Sequence, residues 1–161
     1  MSYSKEDQLR GKPDKKSRKI PYQSKAMQIL NAEYHRVLDE IGQEREPVCQ
    51  GCGKPDFEHS HSIPRNYKAY AYLSNKKNIW RLCRHCHASL YELGYVWMLA
   101  CGLEIMRNIW RLDEDYYRHK VAQVAKRLEE YKSKNWLAIS QGAITVPAWC
   151  EQIIEDFYGN Q

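Results

Sequence analysis

Residues 49–65, CQGCGKPDFEHSHSIPR, open on two cysteines two residues apart and run into His59 and His61. Residues 78–87, NIWRLCRHCH, repeat the cysteine spacing at Cys83 and Cys86 and end on His87. A pair so spaced wraps one ion from a single tight turn. Cys49, Cys52, Cys83 and Cys86 therefore predict a closed, four-thiolate structural Zn(II) site. Gly51 and Gly53 let the turn around Cys52 aim backbone amides at sulfur. A ligand set using His85 or His87 in place of a cysteine is the alternative, and it leaves a thiolate idle. Cys101 and Cys150 stand alone and read as buried core thiols. So short a segment builds no core unaided, which makes ion binding part of its folding. Thirty residues lie between Cys52 and Cys83, far more than the finger of a zinc ribbon, and they hold His59, His61, Arg65 and Asn78.

The rest of the chain sets the context. With 161 residues, 43% hydrophobic and 28% charged, it has the size and balance of one globular domain. No apolar run reaches the roughly 18 residues that span a bilayer. The first twenty residues lack the apolar stretch of a secretory signal, so a cytoplasmic, reducing location is expected, where paired cysteines hold metal rather than form disulfides. The net charge is +5, unevenly spread. Residues 1–20 carry seven Lys/Arg against three acids. Residues 59–91 carry Arg65, Lys68, Lys76, Lys77, Arg81, Arg84 and four histidines with no acid at all. A positive field concentrated on the histidine-bearing segment suits a polyanion such as DNA or RNA.

Periodicity divides the chain. Residues 1–23 read as a flexible basic arm. From Ser24, an N-cap, apolar residues at Met27, Leu30, Tyr34, Val37, Leu38 and Ile41 predict a helix over 24–42, closed by Gly42. Residues 47–92 form the metal module, with loops and a hairpin followed by a helix. Residues 93–161 form a C-terminal helical region. Its first helix is expected to break near Gly94 and end around Gly102. Asp113 caps a second, with Tyr117, Val121, Val124, Leu128 and Tyr131 on one stripe, and Pro147 and Gly159 bracket a third.

The module resembles the HNH endonucleases, the ββα-metal nucleases common in phage genomes and restriction systems. NIWRLCRHCH is similar to the family form in which Asn precedes an apolar residue, two further residues, Leu, a Cys pair and His. SHSIPR resembles the histidine–apolar–Pro–Arg segment, and His61 lies nine residues past Cys52, the family distance. The resemblance covers about residues 47–92. It implies a mostly α protein with a small ββα-metal zinc module, an irregular α+β arrangement. It also implies His61 as general base, Asn78 as the brace that orients it, and His87 as ligand of a catalytic divalent cation, Mg(II) or Mn(II), with Ni(II) or Zn(II) as alternatives. The second ligand position, usually Asp or His, holds Ser60. Glu58, on Ser60's face of a strand, and His59, on His61's face, are the substitutes. EHSH also resembles the Asp-His-x-His segment of the phage Holliday-junction resolvase, a register in which Glu58 is the ligand and His59 the base.

Phosphodiester hydrolysis needs just these parts: a base near neutral pKa and a cation to neutralise the phosphate. Arg65 is a candidate phosphate contact, and Lys76, Lys77, Arg81 and Arg84 are candidate backbone contacts. The aromatic run YKAYAY (67–72) has two readings, base stacking and hairpin packing. The expected activity is metal-dependent DNA endonuclease, in phage DNA processing or recombination, on duplex or branched DNA. A homodimer or protein partner would use the C-terminal helices. The alternative is a non-catalytic zinc module that binds nucleic acid or bridges proteins.

Overall fold

The computed structural model describes residues 24–160; the basic arm expected over 1–23 lies outside them. Helix dominates, with one two-stranded antiparallel sheet. In chain order the elements are α1 (Lys25–Glu44), β1 (Glu58–His61), β2 (Ile79–Leu82), α2 (Gly102–Leu112), α3 (Glu114–Lys134), α4 (Trp136–Ser140) and α5 (Ala148–Gly159). A π-wound segment, His85–Tyr91, follows β2, and short 3-10 turns occupy Lys76–Asn78 and Val96–Met98.

α1 starts as its cap dictates: Ser24 Oγ accepts the Met27 amide at 3.2 Å. Its buried stripe, Tyr34, Val37 and Ile41, joins Leu73 and Ile79 in a small core on one side of the hairpin. Gly42 does not close this helix. The chain stays helical to Glu44, and the amide of Arg45 bonds the Ile41 carbonyl at 3.0 Å. Arg45 supplies the reason, because its guanidinium donates to the carbonyls of Ile79 and Lys76 and pins the helix end to the hairpin. Tertiary anchoring outweighs a weak stop signal.

In the sheet Glu58 faces Leu82, His59 faces Arg81, Ser60 faces Trp80 and His61 faces Ile79. Every residue of β2 is buried, so this strand is the floor of the module. The connection between the strands folds back on itself through left-handed backbone at Lys68, Ala69 and Tyr70, a conformation non-glycine residues hold only when surroundings impose it. Its aromatics pack rather than project: Tyr67 meets Tyr72 and Tyr116. The Tyr72 hydroxyl donates to the Leu112 carbonyl at 3.0 Å and to Asp113 Oδ2 at 2.8 Å, and Lys68 pairs with the same carboxylate at 2.7 Å.

Gly102 begins a helix rather than ending one. A Cβ built there would lie 2.1 Å from the Val96 carbonyl oxygen, so the backbones of the 3-10 turn and α2 meet at a spacing only glycine allows. Gly94, with φ +91°, makes the break before it. Asp113 ends α2 and caps α3, with Oδ1 accepting the Tyr116 amide at 2.9 Å. Val121, Val124 and Leu128 of α3 are buried. They share one continuous core with Cys49, Cys83 and Cys86 of the module, Ile105, Met106 and Ile109 of α2, and Cys150 of α5. Module and C-terminal helices are thus packed as one body.

Burial raises the pKa of Asp113, but Lys68, the Tyr116 amide and Tyr72 together hold it down at about 2. Asp113→Ala removes a cap and the anchor of the left-handed connection together. It should cost about 2 kcal/mol, read as a lower midpoint in urea unfolding.

Candidate functional site

The four cysteine sulfurs lie within 4.8 Å of one another, and among the described residues they form the one such group of three or more potential metal ligands. Cys52 and Cys83 Sγ are 3.7 Å apart. Zinc–sulfur bonds of about 2.3 Å arranged tetrahedrally place sulfurs about 3.8 Å apart, so the spacing fits a structural metal such as zinc. The Cys83 amide donates to Cys49 Sγ at 3.2 Å. Burial opposes the Cys49 thiolate, yet the amides of Cys83, Cys52 and Gly51 outweigh it and hold the thiol at about 7. Gly51 is required here, since a Cβ would come 2.9 Å from Cys86 Sγ.

The clip brings the two histidine-bearing stretches to one cleft of about 370 Å³ bordered by His59, Ser60, His61, Arg65 and His87. His61, on β1, bonds the Leu73 carbonyl through Nε2 at 2.9 Å and packs 5.4 Å from the Tyr34 ring of α1. A carbonyl only accepts, so Nε2 carries the proton and Nδ1 is left with the lone pair. Burial is the largest cause that lowers the His61 pKa, with Arg65, His59 and His87 adding to it and the Leu73 bond opposing. Burial and the neighbouring cations thus favour the neutral form of the imidazole.

Asn78 is fully buried and uses all its hydrogen-bonding capacity on the β1–β2 connection. Its Oδ1 accepts from Ser62 Oγ (2.8 Å) and the Ile63 amide (2.6 Å), and Nδ2 donates to the carbonyls of Ile63 (2.9 Å) and Tyr72 (3.2 Å). These bonds fix the backbone on both sides of His61: the strand exit at Ser62, and Tyr72 beside the carbonyl that holds its ring.

His87 lies on the π-wound segment, a rare winding that is frequent at functional sites. Its Nδ1 meets Glu58 Oε1 at 3.0 Å and its Nε2 meets Glu92 Oε1 at 3.3 Å. Ser60 is buried with no partner for its hydroxyl, and Nε2 of His59 is likewise unpartnered. Such orphans cost about 1–3 kcal/mol each unless a ligand or ion satisfies them. His59 is lowered in pKa by burial, then by Arg81 and Arg45.

The basic candidates separate. Arg65, Lys77 and Arg84 are exposed. Lys76 is engaged by Glu40 and Glu44 of α1. Arg81 corrects the expectation of a backbone contact: it is 6% exposed and donates inward to the carbonyls of Arg45 and Glu46, with its guanidinium over Phe57.

One wall of the cleft comes from outside the module. α3 contributes Lys120, with its neighbours Tyr116, His119 and Gln123. Lys120 is 3% exposed, and Nζ donates to the Tyr91 carbonyl at 2.7 Å and Gln123 Oε1 at 2.9 Å. Burial lowers its pKa to about 7. The sequence held a signal for it: position 120 falls on the buried stripe of α3, three after Tyr117 and four before Val124, where a lysine is out of place. A larger groove, about 640 Å³ between Trp110, Tyr117 and Phe157, holds no histidine or cysteine.

No protein-family model, curated protein or solved structure matches this chain. No helix among the described residues is long and apolar enough to cross a membrane.

Elemental analysis of the purified protein should give one zinc per chain, and Cys83→Ser should lose both the metal and the cooperative melt; a metal-free, fully folded protein would contradict the clip. Lys120 makes a second expectation. Below about pH 7 it is charged in both folded and unfolded chains, and its burial penalty is fully present. Between about 7 and the ordinary 10.5 only the unfolded chain stays protonated, so stability rises with pH. The total is about 5 kcal/mol, and it should appear as the difference in pH dependence between wild type and Lys120→Met.

Proposed function

We propose that the protein is a metal-dependent DNA endonuclease of the HNH type, acting in phage DNA processing or recombination. The observation that carries this reading is the state of His61: a neutral imidazole on a hairpin strand, proton fixed on Nε2, lone pair on Nδ1, bordering a cleft shared with His87. Nδ1 takes a proton from water as the water oxygen bonds to phosphorus. The bond from phosphorus to the 3' oxygen breaks, leaving 5'-phosphate and 3'-hydroxyl ends once that oxygen is protonated from solvent. Asn78 holds the strand exit and the connection so that the imidazole does not turn. Arg65 offers a fork of donors to the phosphate.

His87, Glu58 and the orphan hydroxyl of Ser60, with Glu92 on the far side of the imidazole, are the donors suited to a divalent cation such as Mg(II) or Mn(II). When bound, the cation would neutralise charge on the phosphate and the departing oxygen. One observation favours the second reading, a non-catalytic zinc module that binds nucleic acid or bridges proteins: both His87 nitrogens already face carboxylates, and the neighbouring ligand position holds a hydroxyl.

Supercoiled plasmid and a branched duplex, incubated with Mg(II), Mn(II) or EDTA, decide between them. Metal-dependent nicking or cutting should fall by at least about 100-fold in His61→Ala and persist in His59→Ala. Activity should rise with pH through a midpoint below the ordinary histidine value of 6.5 and level off near neutrality. Loss in His59→Ala alone would move the base to His59. No cleavage of any substrate, with metal content and DNA binding intact, would establish the binding-module reading.

A further inference from the structure

Tyr91 ends the π-wound segment that carries His87, and it is 4% exposed. Its hydroxyl donates to the carbonyl of Ser62, the first residue past His61. One side chain therefore ties the segment holding one histidine to the strand exit beside the other. Ser62 is gripped by Asn78 as well: its hydroxyl donates to Asn78 Oδ1 at 2.8 Å and its amide to the Asn78 carbonyl at 3.0 Å. Tyr91 is held in turn from α3. Lys120 Nζ donates to the Tyr91 carbonyl at 2.7 Å and lies 3.7 Å from the centre of the Tyr91 ring, so one ammonium clamps both the backbone and the face of the tyrosine. Packing alone would be served by phenylalanine at position 91. A hydroxyl placed in a core is costly unless it finds a partner, and here the partner is the backbone next to the proposed base.

We propose that Tyr91 is the positioning residue of the His61–His87 cleft. Its hydroxyl sets the strand carrying His61 against the segment carrying His87, and Lys120 keeps the tyrosine itself in place. The inference rests on the nuclease reading and deepens it. Tyr91 touches neither water nor phosphate in this scheme. It acts through the Ser62 backbone on the direction of the His61 Nδ1 lone pair, and a small misplacement of a reacting group costs rate steeply. The C-terminal helices thereby become part of the catalytic unit, because the hairpin module alone holds both histidines but not the clamp.

The test compares wild type, Tyr91→Phe and Val124→Ala, a core truncation elsewhere that lowers stability without reaching the cleft. Plasmid cleavage with Mg(II) or Mn(II) is measured well below the melting temperature of each. Tyr91→Phe should lose about tenfold or more in kcat with KM unchanged, whereas Val124→Ala should keep the wild-type kcat. A merely structural hydroxyl would lower the melting temperature and leave kcat intact, and that result overturns the proposal. The second arm needs no activity: nitrogen-15 NMR of the histidine rings at fixed pH. Wild-type His61 should show one tautomer, protonated on Nε2 against the Leu73 carbonyl, and Tyr91→Phe should show a mixture. An imidazole pattern that is the same in both proteins, or a wild type without a fixed tautomer, overturns the proposal whatever the rates. Should Tyr91→Phe not fold, Lys120→Met replaces it, since it frees the same tyrosine; wild-type kcat and tautomer in that variant would be equally fatal. The nuclease reading fails separately, through a wild type that cuts nothing, and the NMR arm then decides the positioning role alone.

Discussion

Four sulfurs within 4.8 Å of one another set residues 49 and 52 beside residues 83 and 86, close enough to share one metal ion such as zinc, and the placing of the module's other residues follows from that closure. The loop it closes is too small and too polar to bury a core of its own, so the cost of ordering it falls on the clip. Once it is closed, β1 and β2 lie side by side. His61 is then placed on a strand, and His87 on the helical segment that begins inside the second cysteine pair. The clip brings to one cleft two histidines that sequence distance alone would leave unrelated.

Around that closure, the backbone polar groups are handled by a few buried side chains. Asn78 saturates the strand exit, Arg81 the turn after α1, and Arg45 the carbonyls of Lys76 and Ile79 at the entry to β2. Each lets an irregular segment stay buried without orphaned amides and carbonyls. Ser60 Oγ and His59 Nε2, on the lining of the cleft, are left without partners, as are Ser74 Oγ, Trp80 Nε1 and Arg81 Nε away from it.

Where local chemistry is sufficient, the sequence was legible. Ser24 and Asp113 cap helices because their side chains reach amides three residues on, a matter of a few atoms. The cysteine spacing and the stripe of Val121, Val124 and Leu128 are equally local. Residues whose role a distant contact decides were misread. Gly42 looked like a stop, and Arg45 anchored the helix beyond it. Gly102 looked like an end, but the Val96 carbonyl passing beneath it makes it a beginning. Arg81 looked like a surface cation, and it points into the turn after α1.

Spacing and side-chain chemistry, acting within a turn or a strand, were enough to point to a four-cysteine cluster able to hold a metal and to the helical nature of the C-terminal region. Three-dimensional packing was needed to select which nitrogen of His61 is free, which of the basic residues remain on the surface, and that α3 brings a buried lysine to the same cleft. Those depend on what packs against each group across tens of residues of chain, and burial, not identity, sets whether a charge is held in water or left to find its partner.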